Sequence, residues 1–217
     1  MQQRAEGFRL KKFDFSKLLY LFRVLVHPLS AFNDLKYEKK SSMLLANIMV
    51  VLFFIVNIFG QSSTGYIFSS NAAEDINLWA TLASTVGVLV LWTVCNWATC
   101  TLLDGEGKMS EIWTVTAYSL LPWILLGSIS IVLTNVFSID ETIMINSIQF
   151  IYQGWTFILI FLGVLTVHQY TVKKTILSAI FAVLSMLAVC FLILLFFSIA
   201  QQIFTFATGI FKEIMMR

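Results

Sequence analysis

The run Asp104-Gly105-Glu106-Gly107-Lys108 sets two carboxylates and an ammonium around two glycines, the raw material of a phosphate-binding or divalent-cation loop. Neither chemistry fits the spacing. A Walker loop needs G-x-x-x-x-G-K-[ST], and a calcium loop spreads its ligands over about twelve residues; the polar gap here covers only 104–111. Glycines that take positive φ beside polar side chains are what a tight helical hairpin requires, so the run reads as a structural turn. His27 and His168 are the two histidines, and neither has a nucleophile and an acid beside it. His168, followed by Tyr170 and Lys173-Lys174, reads as a cap and interface anchor at a helix C-terminus. Two histidines alone under-coordinate a metal, and no Ser/His/Asp or Cys/His set can be assembled. Cys95, Cys100 and Cys190 fall in apolar runs, and the first two point about 140° apart on a helix, which gives no disulfide or metal framework. The expectation is a protein that is not an enzyme, without catalytic residues, metal or cofactor.

The elements that hold these residues follow from composition. Of 217 residues 59% are hydrophobic and 12% charged, with mean hydropathy +0.85, whereas soluble domains carry about a quarter charged residues. A soluble enzyme is excluded, because too little polar surface exists to cover a core. A bilayer core needs about 20 apolar residues per helix, and five uncharged runs approach or exceed that length: 43–59, 78–103, 112–137, 148–167 and 176–199. The fold class is an all-α integral membrane protein with five transmembrane helices, residues 43–199, flanked by amphipathic segments at 1–42 and 200–217.

Charge orients the spans. Of the 14 Lys and Arg, nine precede residue 41 and three more are Lys108, Lys173 and Lys174, while 60–77 and 138–147 hold none. Basic loops stay in the cytoplasm, which puts the N-terminus inside and the C-terminus outside. The imbalance is a topology signal and not a nucleic-acid patch. A cleaved leader is not expected, since the first apolar stretch, Leu18–Val26, is interrupted by Arg23 and lacks a small-residue cleavage site.

Both flanks carry a helical stripe. Ser16, Tyr20, Arg23 and His27 recur at i, i+4, i+7 and i+11 opposite Phe15, Leu18, Leu19, Phe22, Leu25 and Val26, and Pro28 ends that helix. Such a basic amphipathic helix lies on the membrane interface, where anionic lipids hold it. A second short helix, 30–40, offers Ser30 as N-cap and buries Phe32 and Leu35. In the tail, Gln201, Thr205, Thr208 and Lys212 repeat the spacing opposite Ile203, Phe204, Phe206, Ile210, Phe211 and Ile214. Either the last helix bends there onto the outer leaflet or it continues and projects, because Gly209 is only a mild breaker.

No charge lies inside the spans, where ion-coupled transporters place Asp, Glu, Lys, Arg or His. Asn47, Asn57, Asn96, Asn135, Gln149 and Gln153 are the strong hydrogen-bonding groups there, and they should face other helices. Pro122 should kink the third span.

Several runs, taken in order, resemble one family. They are Val26-His27-Pro28 with Phe32 and Leu35-Lys36-Tyr37-Glu38-Lys39-Lys40-Ser41; Thr64-Gly65-Tyr66; Asp104–Lys108; Ala117-Tyr118-Ser119-Leu120 with Pro122; His168-Gln169-Tyr170; and Gln201-Gln202-Ile203-Phe204-Thr205-Phe206. From about Phe22 to the C-terminus the chain resembles the bacterial, YesV-like branch of the YIP (Ypt-interacting protein) membrane family. That family is described as five-helix with a cytoplasmic N-terminus and a C-terminus across the membrane. Its eukaryotic branch works with Rab-type GTPases through an Asp-Leu-Tyr-Gly-Pro signature, which is absent here, where Asp34-Leu35 is followed by Lys36-Tyr37. The bacterial branch is commonly encoded beside carbohydrate ABC importers.

The resemblance implies a non-enzymatic accessory, assembly or regulatory subunit of such an importer in the bacterial plasma membrane. Its partners would be membrane lipids and the permease subunits, with the ATPase or sugar-binding protein as further candidates and no nucleic acid. The expected partner-contact residues are Phe22, Pro28, Phe32, Tyr37, Tyr118, Pro122, His168, Tyr170, Gln201, Gln202 and Phe206. The alternative is a stand-alone channel, small-solute transporter or lipid-handling protein that uses the Asn and Gln side chains as a path.

Overall fold

A computed structural model describes residues 15–37, 42–63 and 77–216. Lys39-Lys40, the Thr64-Gly65-Tyr66 run and the basic residues before Phe15 lie outside them. Eight helices account for nearly all of the described residues. They are α1 Phe15–Val26, α2 Pro28–Tyr37, α3 Met43–Ser63, α4 Leu78–Leu102, α5 Met109–Ser119, α6 Leu121–Thr134, α7 Thr142–His168 and α8 Val172–Met215. The protein is all-α, and five stretches are long and apolar enough to cross a membrane: α3, α4, α5 with α6, α7, and α8.

The third span is the centre of the bundle. Of its most apolar stretch 61% is buried, against 28% for α3 and 6% for α8. α3, α4 and α7 pack around it, α2 lies on α7, and α8 leans on α4 and on the end of α7. Pro122 explains why this span is two helices. Proline lacks an N–H and its ring clashes with the carbonyl four residues back, so α5 stops at Ser119 and Pro122 sits in the first turn of α6, where no donor is needed. α4 also departs from regularity, with a π-helical turn at Ala83–Gly87.

The amphipathic N-terminus forms a helical hairpin, with Arg23 of α1 paired to Asp34 of α2 at 2.9 Å. Part of α1 also packs on protein. Leu21 and Val24 enter the bundle core, while Phe22 and Val26 are exposed. The apolar arc is wide enough to serve two surfaces, so one flank packs on protein and the other is left for lipid. Ser30 is not an N-cap: α2 begins at Pro28, and the Ser30 hydroxyl donates to the His27 carbonyl at 3.1 Å. Phe32 and Leu35 are buried as expected.

At the C-terminal end the helix does not bend. α8 runs 44 residues through Gly209 without interruption.

Candidate functional site

The ends of the bundle differ in charge, and the described loops of one end carry Lys36, Lys108, Lys173 and Lys174, while Asp140 and Glu141 mark the other. At the basic end the hairpin turn, α2 and the ends of α4, α7 and α8 meet around His168, which is 1% exposed.

Backbone geometry brings them together. α7 ends in a Schellman turn: Gln169 adopts the left-handed region at φ 55°, and the Tyr170 N–H donates to the Leu165 carbonyl at 3.0 Å. Tyr170 is thereby aimed at the end of α4, where its hydroxyl faces the Cys100 and Leu103 carbonyls, each at 3.1 Å. The Cys100 carbonyl already accepts the Leu103 and Gly105 N–H groups at 3.1 and 2.8 Å, so the phenol adds a donor at a helix end where the Leu103 carbonyl has no other among the described residues. Burial pushes the Tyr170 phenol well above the ordinary tyrosine value, so it remains a donor at neutral pH. Its ring stacks on His168, centroids 5.3 Å apart, and the Lys174 ammonium lies 4.6 Å from the ring centre.

The histidine tautomer follows from its partners. The Gly107 N–H donates to Nδ1 at 3.3 Å, so the ring proton sits on Nε2 and is donated to Asn96 Oδ1 at 3.2 Å. The same Asn96 oxygen lies 3.7 Å from the Cys100 sulfur, which is 3.0 Å from the Ser178 hydroxyl of α8. Asn96 Nδ2 is buried without a partner among the described residues. His168 is therefore a neutral cross-link among α4, α7 and the 104–108 turn.

The glycines of that turn play a different part from the one expected. No described glycine has positive φ; Asp104 takes the left-handed conformation instead, at φ 55°. The glycines are there for closeness. A Cβ at Gly105 would lie 2.6 Å from both His168 Nδ1 and the Tyr170 hydroxyl, and one at Gly107 would lie 2.6 Å from a Val167 methyl. Lys36 of α2 completes the assembly, donating to Glu106 at 3.0 Å and to the Val167 carbonyl at 2.9 Å. The second bond puts a cation at the C-terminus of α7, where the helix dipole favours one.

The eleven residues expected to meet a partner therefore divide. Phe32, Tyr118, His168 and Tyr170 are buried and hold this chain's own elements together. Val115 fills the space over Gly163 with Phe32 packed beside it, and the Tyr118 hydroxyl pairs with the Ser42 backbone. Pro28 and Pro122 line an apolar groove of about 740 Å³ between the α1–α2 junction and α6 and α7. Phe22 and Tyr37 are exposed on the hairpin, and Gln201, Gln202 and Phe206 are exposed on α8. Lys36 and Ser178 are members of the assembly that the sequence did not single out, while Asn96 was expected only to face another helix. Three of the six polar span residues act between helices: Asn47 accepts from Trp113 at 3.0 Å, Asn96 from His168 at 3.2 Å, and Asn135 donates to the Ser63 carbonyl at 2.8 Å, whereas Asn57 donates to the Phe53 carbonyl of its own helix. Among the described residues no three His, Cys, Asp or Glu side chains gather as a metal set.

Five spans, a helical hairpin clamped to one end and a polar lock around a neutral histidine define a polytopic α-helical membrane protein. Residues 22–210 match the Yip1 domain, and the chain belongs to that family. No curated protein and no solved structure matches it.

Proposed function

We propose that the chain is a non-enzymatic assembly or regulatory subunit that offers α8 to a multi-pass partner in a bacterial plasma membrane. α8 carries this reading. At about 1.5 Å per residue its 44 residues extend ~66 Å, twice the ~30 Å hydrocarbon core. Even at a tilt of about 40°, the upper end of the usual range, it rises ~50 Å. Lipid covers about 20 residues of an upright helix and about 26 at that tilt. Beyond that length Phe204, Phe206, Phe211 and Ile214 remain around 70% exposed, a run of apolar side chains that water does not tolerate uncovered. A protein surface continuous with the membrane would cover both parts.

The resemblance given by the sequence motifs supports permease subunits of a carbohydrate ABC importer as that surface. A subunit of this kind shifts a transport cycle only by binding one permease conformation better than another. Gentle extraction followed by mass spectrometry tests the reading. Permease subunits should copurify, and importer yield or its substrate-stimulated ATPase rate should fall when the gene is deleted. Isolation as a free monomer or homo-oligomer, with the importer unchanged by the deletion, contradicts it.

A further inference from the structure

At the acidic end, far from the His168 lock, α3, α6 and α7 part around a recess of about 220 Å³. Its polar lining comes from all three helices: Asn57 and Gln61 from α3, Ser130 and Thr134 from α6, and Gln149 and Tyr152 from α7, with Gln61 already paired to Thr81 and Thr134 to the Ile131 carbonyl. Ser130 is 3% exposed and Tyr152 7%, yet among the described residues neither hydroxyl has a hydrogen-bond partner. This is unlike their neighbours, since Ser128 and Thr156 return their protons to carbonyls four residues back. The Gln149 amide is also unpartnered among the described residues, and Asn57 uses its Nδ2 on the Phe53 carbonyl, which leaves Oδ1 to accept.

Buried hydroxyls and amides without a protein partner are satisfied by water or by something held against them. The lining contains no charged side chain, so an ionic guest would be desolvated without a counter-ion. The inner wall is aromatic. Trp123 is fixed edge-on between Phe53 and Tyr152, with centroids 5.5 and 5.3 Å away. Unpaired hydroxyls and amides facing an immobilised indole match a ring that carries hydroxyls on its rim and C–H groups on its face.

We propose that this recess binds a neutral, hydroxyl-rich small molecule of the monosaccharide or polyol class, as a free solute or as the headgroup of a glycolipid. The site is independent of any partner of α8. Its polar contacts come from Ser130, Gln149, Tyr152 and Asn57, with Trp123 as the stacking surface. Gly127 keeps it open: a Cβ there would meet Trp123 and Val56 at 3.4 and 3.5 Å, ordinary contacts, so alanine fits the fold while narrowing the recess.

The protein in phosphatidylglycerol–phosphatidylethanolamine nanodiscs can be titrated with glucose, xylose, glycerol and, as a charged control, glucose 6-phosphate, read by saturation-transfer NMR and tryptophan fluorescence. In a second arm, nanodiscs containing monoglucosyl diacylglycerol are analysed by native mass spectrometry for retained lipid. Saturable binding of a neutral compound is expected in one arm, and the arm identifies the source. It should weaken about tenfold in Tyr152→Phe and in Ser130→Ala, each removing one hydrogen bond, and in Gly127→Ala. Helix content and melting temperature of each variant must match the parent, and Tyr152→Phe keeps the ring against Trp123. No saturable binding in either arm, equal binding of glucose 6-phosphate, or binding indifferent to all three variants would overturn the proposal.

Discussion

His168 Nε2 lies 3.2 Å from Asn96 Oδ1, a bond between side chains 72 residues apart that joins the ends of two membrane helices. With Nδ1 accepting from the Gly107 N–H, the imidazole has a defined tautomer and both ring nitrogens are hydrogen-bonded. A histidine in this state is a bracket, and its loss should be felt as stability.

His168→Ala should lower unfolding stability in mild detergent by about 2–4 kcal/mol, combining a cavity with unpaired groups on Asn96 and Gly107. Asn96→Ala should cost about 1–3 kcal/mol. Because both act on one bond, the double variant should be less destabilised than the sum of the singles by at least about 0.5 kcal/mol. Additive losses would show that the two side chains do not cooperate.

The turn separates charge from closeness. Gly105→Ala or Gly107→Ala forces a methyl into His168, Tyr170 or Val167 and should cost about 1–3 kcal/mol. Glu106 is 68% exposed, so replacing Asp104, Glu106 and Lys108 together with Asn or Ser should change stability by no more than about 0.5–1 kcal/mol. Thermal unfolding of the three variants side by side checks the ranking; a larger loss from the charge variant would reverse the account of this loop.

Alkaline pH should loosen the basic end. The Tyr170 phenol is raised in the folded state by burial, so the unfolded chain, with tyrosine at about 10, loses its proton first. The resulting stability is fully present below about pH 10 and is lost as pH rises from there toward the folded value. Melting temperature plotted from pH 7 to 11 should fall less steeply in Tyr170→Phe than in the parent, starting from a lower value at neutral pH because the Leu103 carbonyl loses its donor. Parallel curves would remove the phenol from the alkaline transition.

Orientation rests on charge alone, with twelve Lys and Arg on one side by the reading of the loops. In a cysteine-free background, a cysteine at Ser138 should react with an impermeant thiol reagent on intact cells, and one at Ser110 should not. Labelling at Ser110 without labelling at Ser138 inverts the protein.

The spans were legible because each is a long uncharged run, and lipid leaves such a run only the helix. Their ends were less so. α7 starts at Thr142 where the apolar run begins at 148, and α8 absorbs the tail to Met215, because a helix ends where a breaker or a cap intervenes and not where hydropathy falls. Leu21 and Val24 were missed because the polar stripe through Arg23 and His27 conceals a second apolar flank beside it. Lys36 was one cation among nine in a count, and only the packing of α2 on α7 sets it at the Val167 carbonyl. Asn57 and Gln149 were visible as polar groups inside spans, whereas Ser130 and Tyr152 are ordinary membrane residues whose unpartnered hydroxyls exist only in the fold.

The central claim is that α8 is a contact surface for another membrane protein. A photo-crosslinking amino acid placed in living cells at Ile203, Phe206 or Phe211, and at buried Ser178 as control, tests it most directly. The account predicts adducts with one polytopic partner at the first three positions, adducts within this chain at Ser178, and permease subunits of a carbohydrate importer when the adducts are sequenced. Adducts at all three α8 positions with lipid alone, or with further copies of this chain alone, would contradict it.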